Sequence, residues 1–242
     1  MRARYSFARR AETSVALESY ALEALAAELA AQHKIHARAC PCDLGDAAAR
    51  ARLFEELGGL EVEVLVNNAG FGLSGRFWEN DAAREVAMVE LNVTALTHLT
   101  RLWLPQLVAR GRGHVLNIGS TAGFQPGPGM ATYYATKAFV VSFTQALAYE
   151  LRGTGVSATV SCPGPVATEF GAISGNEKSA LFKQAGGVAD PATIAREAWA
   201  ATRAGKAIVV HGLSNKVGAT LAQVLPTKLV TTIAARLNRV ES

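Results

Sequence analysis

The stretch "HVLNIGSTAGFQPGPGMATYYATKAF", residues 114–139, carries an apolar segment into a helical one through a loop of glycines, prolines and hydroxyls. Residues 114–120 form a short apolar run closed by Gly119 and Ser120, the pattern of a buried strand. The residues from about 131 to 152 read as a helix, with Tyr133 four positions and Tyr134 three positions before Lys137. At 3.6 residues per turn both tyrosines lie on roughly the lysine's side. Spacing alone does not choose between them.

Outward from this stretch, short apolar runs alternate with amphipathic ones, the mark of βαβ units and a parallel sheet. Strand-like runs are "IHARACPCDL" (35–44), "VEVLVNNA" (62–69), "HVLNIGS" (114–120), "VSATVSC" (156–162) and "AIVVHG" (207–212). Helices are expected over 22–33, 46–57, about 81–110, about 131–152 and about 190–204. Asp190 followed by Pro191 reads as an N-cap and a first helical position. The expected fold class is α/β, a doubly wound parallel sheet with helices on both faces, built as a single domain over 1–242. In such sheets ligands sit at the carboxyl ends of the strands. "NNAGFG", "GSTAGFQPGPG" and "PGPVATEF" follow three successive strands and read as the rim of one site. Turn chemistry accounts for their glycines and prolines, but not for the hydroxyls and amides among them.

Composition narrows the class. The chain has 242 residues and a formal net charge of +4, with Lys and Arg scattered rather than run together. That suits an anionic small molecule better than a nucleic-acid groove, which needs a clustered basic face. No run of about 20 apolar residues exists, so no transmembrane span is expected. "MRARYSFARRAETS" lacks the apolar core of a secretory signal. Cys40, Cys42 and Cys162 fit no disulfide framework and point to a reducing, cytoplasmic setting. Cys40 and Cys42 have no second cysteine pair to complete a metal clip, so no metal site is expected and both read as buried strand residues.

The loops resemble the short-chain dehydrogenase/reductase family, over residues 35 to about 212. The resemblance rests on "NNAG" (67–70), "LNV" with Asn92, "GSTAG" with Ser120, "YYATK" with Tyr133 and Lys137, and "PGPVAT" (163–168), in the family's order and at its spacings. "NNAGFG", "PGPGM" and "YYATKAF" look most like its bacterial carbonyl reductases of unsettled substrate. The resemblance implies a Rossmann-like sheet, and an NAD(P)-dependent oxidoreductase that interconverts a carbonyl and an alcohol. It also selects Tyr133, which is four before Lys137 and thirteen after Ser120. Tyr134 is then left a packing or substrate-wall role.

The residue types suit that chemistry. Hydride delivery to a carbonyl leaves negative charge on oxygen, so a proton donor must sit beside it. A free tyrosine has a pKa near 10, and a lysine ammonium one turn away is expected to lower it. By resemblance Lys137 also holds the nicotinamide ribose, Ser120 orients the carbonyl oxygen, and Asn92 loosens its helix and holds a water that relays protons to Lys137. For Asn92 alone, an exposed helical asparagine is the plain alternative. Cofactor contacts are implied at Asp43 and Leu44 (adenine), Asn67 and Gly70 (adenine-side ribose), and Pro163, Gly164, Val166 and Thr168 (nicotinamide). A helix-capping aspartate and a tight turn are the plain alternatives for Asp43 and for Asn67–Gly70. Residues 170–189 correspond to the family's variable substrate loop.

The pattern breaks at the beginning. The family opens with a strand and a Gly-rich turn that takes the cofactor pyrophosphate, and this chain has no glycine before Gly45. "RYSFARR" resembles the end of the family's second strand, where Arg9 and Arg10 would meet a ribose 2′-phosphate and favour NADP (NADPH) over NAD. Alternatively "RARYSFA" slides into the vacated strand position. A chain start placed too late and a variant that has given up the dinucleotide are both open. The second origin leads to the rival reading, a non-catalytic remnant used as a binding or assembly module. Residues 215–240 are amphipathic and basic, interrupted by Pro226. A subunit interface is the first reading there, giving an expected homo-oligomer, and peripheral membrane contact is the second.

Overall fold

The computed structural model describes residues 15–166, 170–175 and 189–239. Its sheet has four parallel strands in the order β1 (Val64–Asn67), β2 (Gly113–Ile118), β3 (Val156–Cys162) and β4 (Ile208–Val210). α1 (Val15–His33) and α2 (Ala47–Leu57) precede the sheet. α3 (Ala82–Val89) and α4 (Leu96–Arg110) join β1 to β2, and α5 (Ala131–Glu150) joins β2 to β3. After β3 come α6 (Phe170–Ser174) and α7 (Pro191–Arg203). α8 (Leu213–Val224) and α9 (Thr227–Leu237) follow β4.

Local chemistry sets several of these boundaries. Asp46, Asp81 and Asp190 are the N-caps of α2, α3 and α7, each accepting a backbone N–H from the first turn. Pro191 sits in the first turn of α7, as its position after Asp190 suggests. Pro226 separates α8 from α9.

β3 shows how both faces of the sheet are covered. Successive side chains of a strand point to opposite faces. Val156, Ala158, Val160 and Cys162 pack with Leu107 of α4 and Val140, Val141 and Leu147 of α5. On the other face Ser161 bonds His211, which in turn bonds Glu197 of α7. Full burial of such Val and Leu side chains stabilises the sheet by about 2 kcal/mol each.

Residues 35–44 do not form the strand that their apolar pattern suggests. Cys40 and Cys42 are half-buried on an irregular segment, and Cys42 packs beside the Leu44, Leu91, Ala95 and Leu99 cluster. A strand needs a neighbour to take its backbone hydrogen bonds. β1 ends the described sheet on that side, and no described strand bridges from it to residues 35–44. Arg9 and Arg10, and the alternative placement of "RARYSFA", lie outside the described residues, as do Thr168 and residues 176–188 of the substrate loop.

Candidate active site

Three elements, a π-helical turn, the loop after β2 and α5, bring Asn92, Ser120, Tyr133 and Lys137 together at the carboxyl end of β1, β2 and β3. Ser120 follows β2 and caps the short 3₁₀ turn Thr121–Phe124, its Oγ accepting from Ala122 N at 3.1 Å. Its hydroxyl also lies 3.5 Å from Pro163 O, and it is near enough to the Tyr133 phenol to favour the phenolate. Tyr133 stands in the first turn of α5, buried against Leu73, Met88 and Met130, with Phe170 5.1 Å away ring to ring.

Burial pushes the Tyr133 phenol above its ordinary range, and the Ser120 hydrogen bond only partly opposes this. The sequence expectation ran the other way, through the Lys137 charge. Lys137 Nζ lies 5.8 Å from the Tyr133 ring centre and donates instead to Ile118 O at 2.8 Å. Burial also acts on Lys137, holding its ammonium down to about 8, and only an ionised Cys162 would pull the opposite way. The Cys162 thiol is itself pushed up to about 12 by burial. It is a neutral neighbour at ordinary pH.

Asn92 is 2 % exposed, so the surface-asparagine alternative does not describe it. It lies in a π-helical turn, Glu90–Ala95, between α3 and α4. Such turns interrupt the regular ladder and recur at functional sites. Its amide pairs with the backbone of Phe71 in both directions, accepting at 3.1 Å and donating at 2.9 Å. It also donates to Thr136 Oγ1 at 3.1 Å, and Thr136 donates to Tyr133 O at 2.7 Å. Thr136 thus ties the asparagine to the first turn of α5, a contact with no motif to announce it. A Cβ at Gly70 would stand 2.8 Å from Asn92 Oδ1, so a residue without a side chain is required there to let the asparagine in.

The other sequence candidates divide. The Asn67 side chain is turned into the interior, donating to Thr100 Oγ1 at 3.0 Å and Asn117 Oδ1 at 2.8 Å. Asn117 continues to Thr144 at 2.8 Å, making a polar ladder between strands and helices. Leu44 is a core residue, and Asp43 shapes the turn before α2 by accepting Gly45 N at 2.8 Å. The cap of α2 is Asp46 rather than Asp43. Pro163, Gly164 and Val166 border the site. Pro163 O accepts Thr121 N at 2.9 Å, Asn215 packs against Gly164, and Val166 bridges to Ala189.

Tyr134 faces away from this group. Its hydroxyl donates to Asn238 Oδ1 at 2.9 Å, and Asn238 donates to Pro128 O at 3.0 Å. The end of α9 is thereby fastened to the loop that precedes α5. Among the described residues no group of three or more His, Cys, Asp or Glu could hold a metal ion, and no helix is long and apolar enough to cross a membrane.

Comparison with known proteins shows the family and the fold. A model of the short chain dehydrogenase family matches residues 5–178. The chain is 38% identical over 153 residues to sulfoacetaldehyde reductase 2 of Chromohalobacter salexigens, covering 62% of this chain and 60% of that protein. It is 43% identical over 122 residues to an NADP-dependent 3-hydroxy acid dehydrogenase of Salmonella typhi, covering 47% of this chain and 46% of that one. The matched part thus spans about half to three-fifths of these relatives. Among solved structures, a short-chain dehydrogenase from Sphingobium yanoikuyae in complex with NADPH superposes with a TM-score of 0.75 at 27% identity, covering 92% of this chain and 87% of that one. A bulky-bulky ketone specific alcohol dehydrogenase from Comamonas testosteroni shares the fold, at a TM-score of 0.72 and 24% identity over 91% of this chain and 82% of that one.

Proposed function

The chain belongs to the short-chain dehydrogenase family of oxidoreductases, and from that premise we propose that it interconverts a carbonyl and an alcohol, with Tyr133 as general acid and base. The observation that carries this reading is the meeting of Ser120, Tyr133 and Lys137 at one strand end, backed by the buried Asn92. In the reductive direction, a bound nicotinamide would supply the hydride. Ser120 donates to the carbonyl oxygen and orients it, so that charge developing there meets a positioned dipole. Tyr133 is buried and protonated, and delivers its proton to that oxygen as it becomes an alkoxide. Lys137, poised near neutrality, then returns a proton toward Tyr133. Asn92 holds the Phe71 backbone and α5 in place around it.

The residues fit the nicotinamide end of the cofactor. Lys137 directs one N–H at Ile118 O, and an ammonium has two more for ribose hydroxyls. Pro163, Gly164 and Val166 would flank the ring. The pyrophosphate end has no such set among the described residues: no glycine precedes Gly45, and the Gly-rich loops after β1 and β2 border the Asn92 and Ser120 side of the site. We take NADPH over NADH because the Salmonella relative is NADP-dependent and the Sphingobium structure holds NADPH. The non-catalytic remnant is the weaker reading, since it gives no reason for all four side chains to meet. The deciding experiment is a fluorescence titration with NADPH and NADH, followed by turnover of a panel of aldehydes and ketones. Saturable NADPH binding with turnover lost in Tyr133→Phe supports the proposal. A folded chain that binds neither nucleotide rejects it.

A further inference from the structure

α8 packs the wrong way round for a helix that only covers a core. It buries Ala219 and leaves Leu213, Val217, Leu221 and Val224 in solvent, Leu213 at 78 % and Val224 at 71 % exposure. At about 100° per residue these four fall within about 80° of one another, opposite the buried side. α9 continues the pattern. Its inward residues are Val230 and Ala234, while Leu229 and Ile233 are about half exposed. A surface helix of a soluble domain normally turns its large apolar side chains inward.

The charge around this stripe is one-sided. α8 and α9 carry Lys216, Lys228 and Arg236 and no Asp or Glu, and the nearest acid before them is Glu197 of α7, which lines the cleft beside Leu213 and Lys216 and is held by His211. Lys216, Lys228, Arg236 and Arg239 are all exposed on α8, α9 and the residue pair after it. Neither helix is long and apolar enough to cross a membrane.

We propose that the outer face of α8 and α9 docks on the surface of an anionic phospholipid bilayer. The apolar stripe would enter the boundary between headgroups and acyl chains, and the lysines and arginines would lie at the phosphates. A second copy of the chain is the poorer occupant. A symmetric pairing of this face would set two unneutralised basic rims against each other, which is unfavourable across an interface.

The test uses the full chain and sedimentation with vesicles, one set of phosphatidylcholine with phosphatidylglycerol and one of phosphatidylcholine alone. Binding should favour the phosphatidylglycerol vesicles and weaken as salt is raised. Leu221→Glu should abolish it. Lys216→Gln and Lys228→Gln should each weaken it about fivefold. The three side chains are exposed, and thermal unfolding would check that each variant is folded. The lysine variants decide the matter if Leu221→Glu does not fold. Equal binding to both vesicle types, or none to either, would overturn the proposal. So would a lipid-free dimer that Leu221→Glu separates, which would give this face to a second copy.

Discussion

Tyr133 and Tyr134 are neighbours in one helix, share an edge-on ring contact at 6.1 Å, and look onto two different regions of the molecule. The Tyr133 side holds Ser120 and Lys137, a neutral acid beside a base held close to neutrality. The Tyr134 side holds Asn238 and Pro128, two partners that cannot titrate and serve to fasten the end of α9. Burial raises both phenols, so burial does not separate them. What separates them is the chemistry of the hydrogen-bond partner. One tyrosine stands beside a titratable lysine and a serine hydroxyl; the other is placed where a hydroxyl closes a structural contact.

The sharpest way to break this comparison is to remove each hydroxyl in turn. Tyr133→Phe should lower turnover by about 100- to 10,000-fold, the range for loss of a general acid, with nucleotide binding retained. Tyr134→Phe should change turnover far less. Steady-state kinetics with any accepted carbonyl would decide, and equal losses would mean that the two regions are not chemically distinct.

The Tyr133 side is proposed from the sequence through the family resemblance, since spacing along the helix leaves Tyr133 and Tyr134 level with Lys137. Ser120 ends an apolar run, and Tyr133 and Lys137 lie one turn apart. β2 and β3 are buried on both faces and read as continuous apolar runs for that reason. The failures have a common cause, which is partners distant in the chain. Residues 35–44 have a strand's composition, but no neighbouring strand is described to complete them. The Asn67 side chain stands in register with Asn117 across β1 and β2 and the two amides pair, while the backbone approach to a ribose expected of Asn67 and Gly70 does not depend on that side chain. Asparagine is uncommon in strands, and two of them at matching positions were an available sign of this ladder. Asn238 lies 104 residues from Tyr134, and nothing local announces it.

A second prediction concerns charge on the Tyr133 side. Lys137 has its folded value near 8, below its ordinary 10.5. Between those values the unfolded chain binds a proton that the folded chain has released, so this group makes stability rise with pH across that window. The size is at most about 3 kcal/mol, from a shift of this extent. Cys162 and Tyr133 act oppositely at higher pH, because their folded values are raised and the folded state resists losing their protons. Cys162 begins to oppose the lysine from about pH 8.5, so the comparison of parent and Lys137 variant, in which the Cys162 contribution is shared, isolates the lysine. Urea unfolding of Lys137→Met should be flatter across that window than that of the parent. Identical pH profiles would mean that the Lys137 ammonium is not desolvated.

On the Tyr134 side the largest lever is steric. A Cβ at Gly127 would come within 2.2 Å of the Tyr134 ring, inside van der Waals contact with its carbons. Gly127→Ala should displace the ring and the loop it supports, destabilising the fold by about 1–3 kcal/mol as overpacked sites do. Thermal unfolding measures this. A melting temperature unchanged from the parent would show that the loop moves freely, contrary to its attachment through Pro128.

The finest test asks whether Tyr134 and Asn238 act as one contact. Removing the hydroxyl with Tyr134→Phe leaves the Asn238 carbonyl oxygen without this donor in a buried place, and Asn238→Ala leaves the hydroxyl without its acceptor. Each single change should destabilise by about 1–3 kcal/mol, since an orphaned buried group loses its hydrogen bond without regaining water. The double variant orphans neither of these two atoms. Its loss should therefore fall short of the sum of the singles by about 1 kcal/mol, within the coupling expected of residues in contact. Asn238→Ala also releases Pro128 O, so that variant should raise KM, through the loosened loop, more than it lowers kcat. Strict additivity in the unfolding midpoints, or a drop in kcat as large as that of Tyr133→Phe, would place Tyr134 and Asn238 on the chemical side of α5 rather than the structural one.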